Sequence, residues 1–145
     1  MPSIIIDKER HVMAFDIQDE VVKPFSAGYT REAFVKLDSI LDKVLEYRIR
    51  ARFPSKDAQE LVSVMSNTRA NSFFAGIANK SGVITISQKD RIDKFKSIRN
   101  AIAHNALGEL DLMVSKKQDD MAAFLKSELD KGISLVKELA SGGSK

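Results

Sequence analysis

Residues Thr30 to Arg52 read TREAFVKLDSILDKVLEYRIRAR, and this run decides the fold class. Ala33, Phe34, Leu37, Ile40, Leu41, Val44, Leu45 and Ile49 recur at steps of three and four, the period that lines one face of an α-helix. Thr30 is placed to cap this helix. Pro54 lacks an N–H and disfavours helical geometry at Phe53, so the helix is predicted to end near Arg52.

Working outward, Ser55 is a cap for a second helix, from about Lys56 to Asn67, with Ala58, Leu61, Val62 and Met65 facing inward. A third helix around Ser72 to Lys80 presents Phe73, Phe74 and Ile77, and Gly82 supplies a left-handed stop. After an extended link from Val83 to Ile86, Ser87 and Asp90 have the spacing of a capping pattern for a fourth helix, which Gly108 is expected to end. A last helix from roughly Lys117 to Leu139 buries Met121, Leu125, Leu129, Ile133, Val136 and Leu139, with Gly132 as an internal weak point. These elements predict an all-α fold, an antiparallel bundle of about five helices over residues 30–140, followed by a flexible tail at 141–145. Residues 1–29 form an appendage in which Ile4 to Ile6 and Val12 to Ile17 either pair as strands or dock as an extended arm.

At 145 residues, 43% hydrophobic and 30% charged, the chain has the size and composition of one globular domain with a real core. It contains no cysteine and two histidines, His11 and His104, which excludes disulfides, thiolate metal centres and an all-histidine zinc site. No metal and no cofactor is expected. The apolar stretch Ile4 to Ile6 runs straight into Asp7, Lys8, Glu9 and Arg10, too short for a signal peptide or a membrane span, so the expectation is a cytoplasmic protein without membrane contact. No glycine-rich phosphate loop and no Ser-His-Asp order is present, which removes support for nucleotide motors and common hydrolases.

The formal net charge of +3 is unevenly spread. Arg31 to Lys56 carries seven basic against four acidic residues and Lys89 to Arg99 five against two, whereas residues 1–29 carry three against five. Two helices therefore hold the excess, and Arg48, Arg50, Arg52 and Lys96 are candidate contacts for a polyanion.

The fourth helix carries the chemical signal. Phe95, Ile98, Ile102 and Ala106 fall on one arc of roughly 80°, and Arg99 projects onto its margin. A guanidinium there needs a carboxylate of another helix, a partner chain or a phosphate. His104 projects onto a polar row with Lys96 and Asn100, from which Asn100 can reach the imidazole and fix its tautomer. Arg99 and His104 lie roughly 140° apart on an ideal helix. To meet at one site they need a reaching arginine, a loosened helix end or a twofold axis.

The order of a helix, the Gly82-Val83-Ile84 turn, Ser87 with Asp90, and then a helix with Ile98-Arg99-Asn100, three residues and His104 resembles the HEPN superfamily, most closely its mannitol-repressor-like branch. The motif of that family is Arg, four to six residues and His, often with Asn after the Arg. Arg99, Asn100 and His104 match it position by position, and Asn105 departs from the small residue that often follows the family histidine. The likeness is strong over Ser97 to Asn105 and looser over Phe73 to Ile92.

The resemblance implies a homodimer in which two motifs line one cleft and cleave RNA without a metal, as in toxin or defence nucleases, with an antitoxin or a regulatory protein as a further partner. It equally implies a non-catalytic module that keeps the helices and binds a protein partner or a nucleotide. In the catalytic case His104 would move the proton of a ribose 2′-hydroxyl or of the leaving 5′-oxygen, Arg99 would stabilise charge on the phosphate, and Asn100 would orient the imidazole or contact a phosphate oxygen. Lys96 and the basic residues of the first long helix would attract RNA through its backbone.

Overall fold

The computed structural model describes residues 4–8, 11–67, 71–104 and 121–141. The open alternative at the N-terminus resolves as strands: β1 (Ile4–Lys8) and β2 (His11–Phe15) form an antiparallel hairpin with Ile4 opposite Phe15 and Lys8 opposite His11. A π-helical turn, Gln18–Val22, runs into the single turn of α1 (Lys23–Ser26). The bundle consists of α2 (Thr30–Arg52), α3 (Lys56–Asn67), α4 (Asn71–Lys80), α5 (Ile86–Ala103) and α6 (Met121–Ala140). The fold is thus an all-α bundle with a hairpin resting on α6 and α2. Ile17 and Val21 are fully buried, so the bundle's core begins upstream of α2.

α2 is the axis. Its predicted apolar residues, from Ala33 to Ile49, are all buried and touch α3, α4, α5 and α6 in turn. Phe34 stacks on Phe95 of α5 at 5.9 Å and meets Phe25 edge-on at 6.5 Å, the offset and T-shaped arrangements that aromatic quadrupoles favour. α5 runs antiparallel to both of its long neighbours: Asp38 meets Arg99 while Arg48 meets Val83, and Glu128 meets Lys94 while Glu138 meets Gln88. Gly132 on α6 permits the closest approach in this layer, because a Cβ there would lie 2.7 Å from the Phe95 ring and 3.0 Å from Leu37. The glycine that weakens the helix by propensity is required by its packing.

Several helix ends differ from the sequence expectation. Tyr29 rather than Thr30 precedes α2, and no side chain caps it, because the chain enters from Gly28 in the left-handed region (φ 96°). Ser55 does cap α3 through its hydroxyl, which accepts from Ala58 N at 3.2 Å. Val62 faces inward as expected, but Leu61 is 61% exposed: α3 leans on α2 along a narrower face than its apolar pattern suggests. The side chains of Met65, Phe73 and Phe74 lie outside the described set.

Gly82 closes α4 at φ 79°, after which Val83 and Ile84 N–H both donate to Ala78 O. α5 then starts earlier than the Ser87 and Asp90 pattern predicts. Thr85 is the cap, its hydroxyl accepting from Gln88 N while Gln88 Oε1 accepts from Thr85 N, a reciprocal box that satisfies two otherwise orphaned donors. Gln88 also donates to Glu138 on α6, so the same residue starts α5 and pins it. The regular helix ends at Ala103, and Ala106, Gly108, the residues 117–120 and the 142–145 part of the tail fall outside the described residues.

Candidate functional site

The rotation of α5 is fixed by Phe95, Ile98 and Ile102, buried as the periodicity predicts, and by Ile92 and Ala101, which are buried with them. That rotation turns Lys96 and Arg99 toward α2 and leaves Asn100 exposed. α2 answers with Arg31, Val35, Asp38 and Asp42, a stripe at steps of four, three and four residues.

Between the stripes lies a seam of charge. Lys96 Nζ donates to Asp38 Oδ1 at 2.7 Å and to Asp42 Oδ1 at 2.8 Å, and Arg99 Nε lies 3.1 Å from Asp38 Oδ2. Asp38 is 3% exposed, so both of its oxygens face cations with almost no water to share. Burial pushes the Asp42 carboxyl above its usual range, a shift that the neighbouring Lys96 only partly offsets.

Arg99, expected to need a partner, therefore has one in a carboxylate of another helix. Lys96 corrects the sequence reading: it is buried, not on the solvated row, because α2 approaches closely enough to engulf its stem and offers two carboxylates to its tip. Its ammonium is committed to the fold and does not stand open to a polyanion. Arg48 and Arg50 are placed similarly. Arg48 donates to Leu139 O at 2.7 Å and Val83 O at 2.9 Å, and burial lowers its pKa. Arg50 donates to Gln59 O, Gln59 Oε1 and Ser63 Oγ, tying α2 to α3. Arg52 is exposed at the end of α2.

At the other end of the seam is a cleft of about 930 Å³ walled by Arg31 and Val35 of α2 and by Ser97, Arg99, Asn100, Ala103 and His104, with Asp38, Asp93 and Lys96 completing the lining. Arg99 and His104 both line it. His104 is the residue that ends the helix, at φ −101° and ψ 10°, with its N–H still making the helical bond to Asn100 O at 3.0 Å.

Asn100 does not hold the imidazole. Its Oδ1 accepts from Arg99 Nη1 at 2.9 Å, and no hydrogen bond joins its side chain to the His104 ring among the described residues. Of the five guanidinium N–H groups of Arg99, one donates to Asn100; Nε is buried 3.1 Å from Asp38 Oδ2 as an ion pair without a hydrogen bond, and the other three have no protein partner among the described residues. The site thus holds a splinted guanidinium with donors to spare beside an exposed imidazole, a pairing suited to neutralising an anionic oxyacid while moving a proton.

Sequence reasoning missed Asp38, Asp42 and Arg31 as site residues. The first two had a signal, carboxylates four residues apart within the helix that supplies the largest share of the core. Arg31 had none beyond its charge. No protein-family model matches the chain, and no curated protein or solved structure is similar to it.

Proposed function

We propose that this chain is an RNA-acting domain of HEPN type, a metal-independent endoribonuclease that works as a homodimer. The observation that carries the reading is the shared cleft, in which the three motif residues Arg99, Asn100 and His104 stand together with Arg31. A phosphodiester in that cleft meets the free donors of Arg99. The His104 imidazole takes the proton of the 2′-hydroxyl. The O2′–P bond forms as the P–O5′ bond breaks, leaving a 2′,3′-cyclic phosphate, and the departing 5′-oxygen collects a proton. In-line displacement puts the base and the acid on opposite sides of the phosphorus. Among the described residues one histidine lines the cleft, so a second imidazole from a second copy meets the requirement, and this supports a dimer with two motifs facing one RNA.

A second reading has an observation of its own. Asp38 occupies one edge of Arg99, and together with Asp42 it matches the charges of Lys96 and Arg99. A cluster so nearly neutral suits a regulatory module that binds a nucleotide or a protein partner without turnover. In the nuclease reading, a toxin or defence role follows, with an antitoxin or regulatory protein covering the cleft. No described helix is long and apolar enough to cross a membrane, and a cytoplasmic setting belongs to the same proposal.

The test is cleavage of a long unstructured RNA in EDTA by the wild type and by His104→Ala, with sedimentation at micromolar concentration. The nuclease reading expects cutting by the wild type only, equal melting temperatures, and a dimer, since a standard interface of roughly 1,600 Å² usually survives that dilution. Equal cutting by both proteins, or none by either, gives the lead to the regulatory module.

A further inference from the structure

The charges that line or back the cleft can be paired off one by one. Lys96 and Arg99 are matched by Asp38 and Asp42, and Asp93 is matched by Lys89 at 2.7 Å. What is left is Arg31. It stands exposed in the first turn of α2 and has no ion-pair partner among the described residues. The attraction of the cleft for an anion is therefore centred on the α2 wall, across from the motif residues of α5. Val35, one turn further along the same wall, and Ala103 opposite are the apolar part of the lining.

Size points the same way. A cleft of about 930 Å³ lies at the upper end of the roughly 300–1,000 Å³ usual for small-ligand sites, more room than one nucleotide needs. No aromatic side chain among the described residues lines it, so the described lining offers phosphate contacts rather than stacking.

We infer that Arg31 is a second phosphate subsite, a positioning residue that holds the phosphate neighbouring the one at Arg99, so that the cleft takes a single-stranded RNA segment and not a mononucleotide. This rests on the RNA reading above. The chain recognises two successive phosphates, one at a guanidinium braced by Asp38 and one at a guanidinium free to swing. Binding is sequence-tolerant and strongly salt-dependent, as expected when counterion release supplies the affinity.

Fluorescence anisotropy with 2′-O-methyl oligouridylates, which cannot be cut, tests this with the full chain. Wild type should bind an octamer more tightly than a dinucleotide and weakly bind uridine monophosphate. Arg31→Gln should bind the octamer about five- to tenfold more weakly at low salt, with the slope of log affinity against log salt reduced by about 0.7. Arg31→Lys should restore the slope, and uridine monophosphate should compete equally against all three proteins. Unchanged urea midpoints would show that each variant folds.

If Arg31→Gln and wild type bind the octamer with the same affinity and slope, the subsite is wrong while His104-dependent cleavage still stands. If Arg31→Gln weakens uridine monophosphate as much as the octamer, Arg31 belongs to the first phosphate and the inference is overturned. Failure of the wild type to bind the octamer at all overturns both the subsite and the RNA reading.

Discussion

At the C-terminal end of α2 Arg48 donates to the carbonyls of Leu139 and Val83, closing the gap between α6 and the turn before α5. At the N-terminal end of the same helix Arg31 donates to no protein group among the described residues and lines an open cleft. The residue type is the same and the local sequence is basic at both ends, yet one guanidinium is structure and the other is surface poised over a site. The difference lies in what surrounds each. Arg48 is flanked by a helix terminus and a turn whose carbonyls accept from it, whereas Arg31 is flanked by a seam whose acids are already matched. A basic helix therefore indicates a binding face only where its charges are left over.

The largest effect should come from the seam that separates the two ends. Asp38→Asn leaves Lys96 with Asp42 alone and Arg99 without its carboxylate in a poorly solvated layer, and should cost about 3–5 kcal/mol in urea unfolding. A loss near zero would mean that the seam is not a constraint and that Arg99 is free like Arg31.

Next in size, Arg48→Met should cost about 2–3 kcal/mol, because two buried carbonyls lose a charged donor. Arg31→Gln should unfold at the wild-type urea concentration. If the two variants unfold alike, the contrast between the ends of α2 is broken.

Gly132→Ala bears on the packing that aims α5 into the cleft. The new methyl would meet the Phe95 ring at 2.7 Å, and the expected cost is about 1–3 kcal/mol by thermal or urea denaturation. A neutral result would show that α5 can rotate or slide, and the placement of Arg99 would lose its support.

The smallest effect concerns pH. Asp42 has its folded pKa raised by burial, so its contribution favours the fold fully below the ordinary carboxylate range and is lost as pH rises through the raised value. Asp42→Asn removes that loss. Between pH 4 and pH 7 the variant should gain stability relative to wild type, read as the difference in urea midpoints. A variant that falls behind over this interval would mean that attraction to Lys96 outweighs desolvation.

The helices themselves were legible because their apolar spacing is a local property. The α2 run, the Gly82 stop, the core arc Phe95, Ile98 and Ile102, and the Ser55 cap all follow from residues within one or two turns of each other. What sequence missed depends on distant segments. Lys96 reads as solvated until Asp38 and Asp42, more than fifty positions away, are brought against it. Gly132 reads as a weak point until the Phe95 ring fills the place of its side chain. The expected Ser87 cap gives way to Thr85, where Gln88 completes the box and is held by Glu138 of another helix. In the site, the motif spacing placed Arg99, Asn100 and His104 on one helix but not their relations. His104 lines the cleft from the end of α5, and Asn100 turns toward Arg99.

The central claim is that the end of the bundle holding Arg31 and His104 faces RNA while the Arg48 end holds the bundle together. The most direct measurement is an amide NMR titration of the full chain with a 2′-O-methyl oligouridylate. The account predicts shifts concentrated at Arg31, Val35 and Ser97 to His104, with residues 46–52 and 56–63 unmoved. Shifts gathered instead around Arg48, Arg50 and Arg52, or spread evenly over both ends of α2, would contradict it.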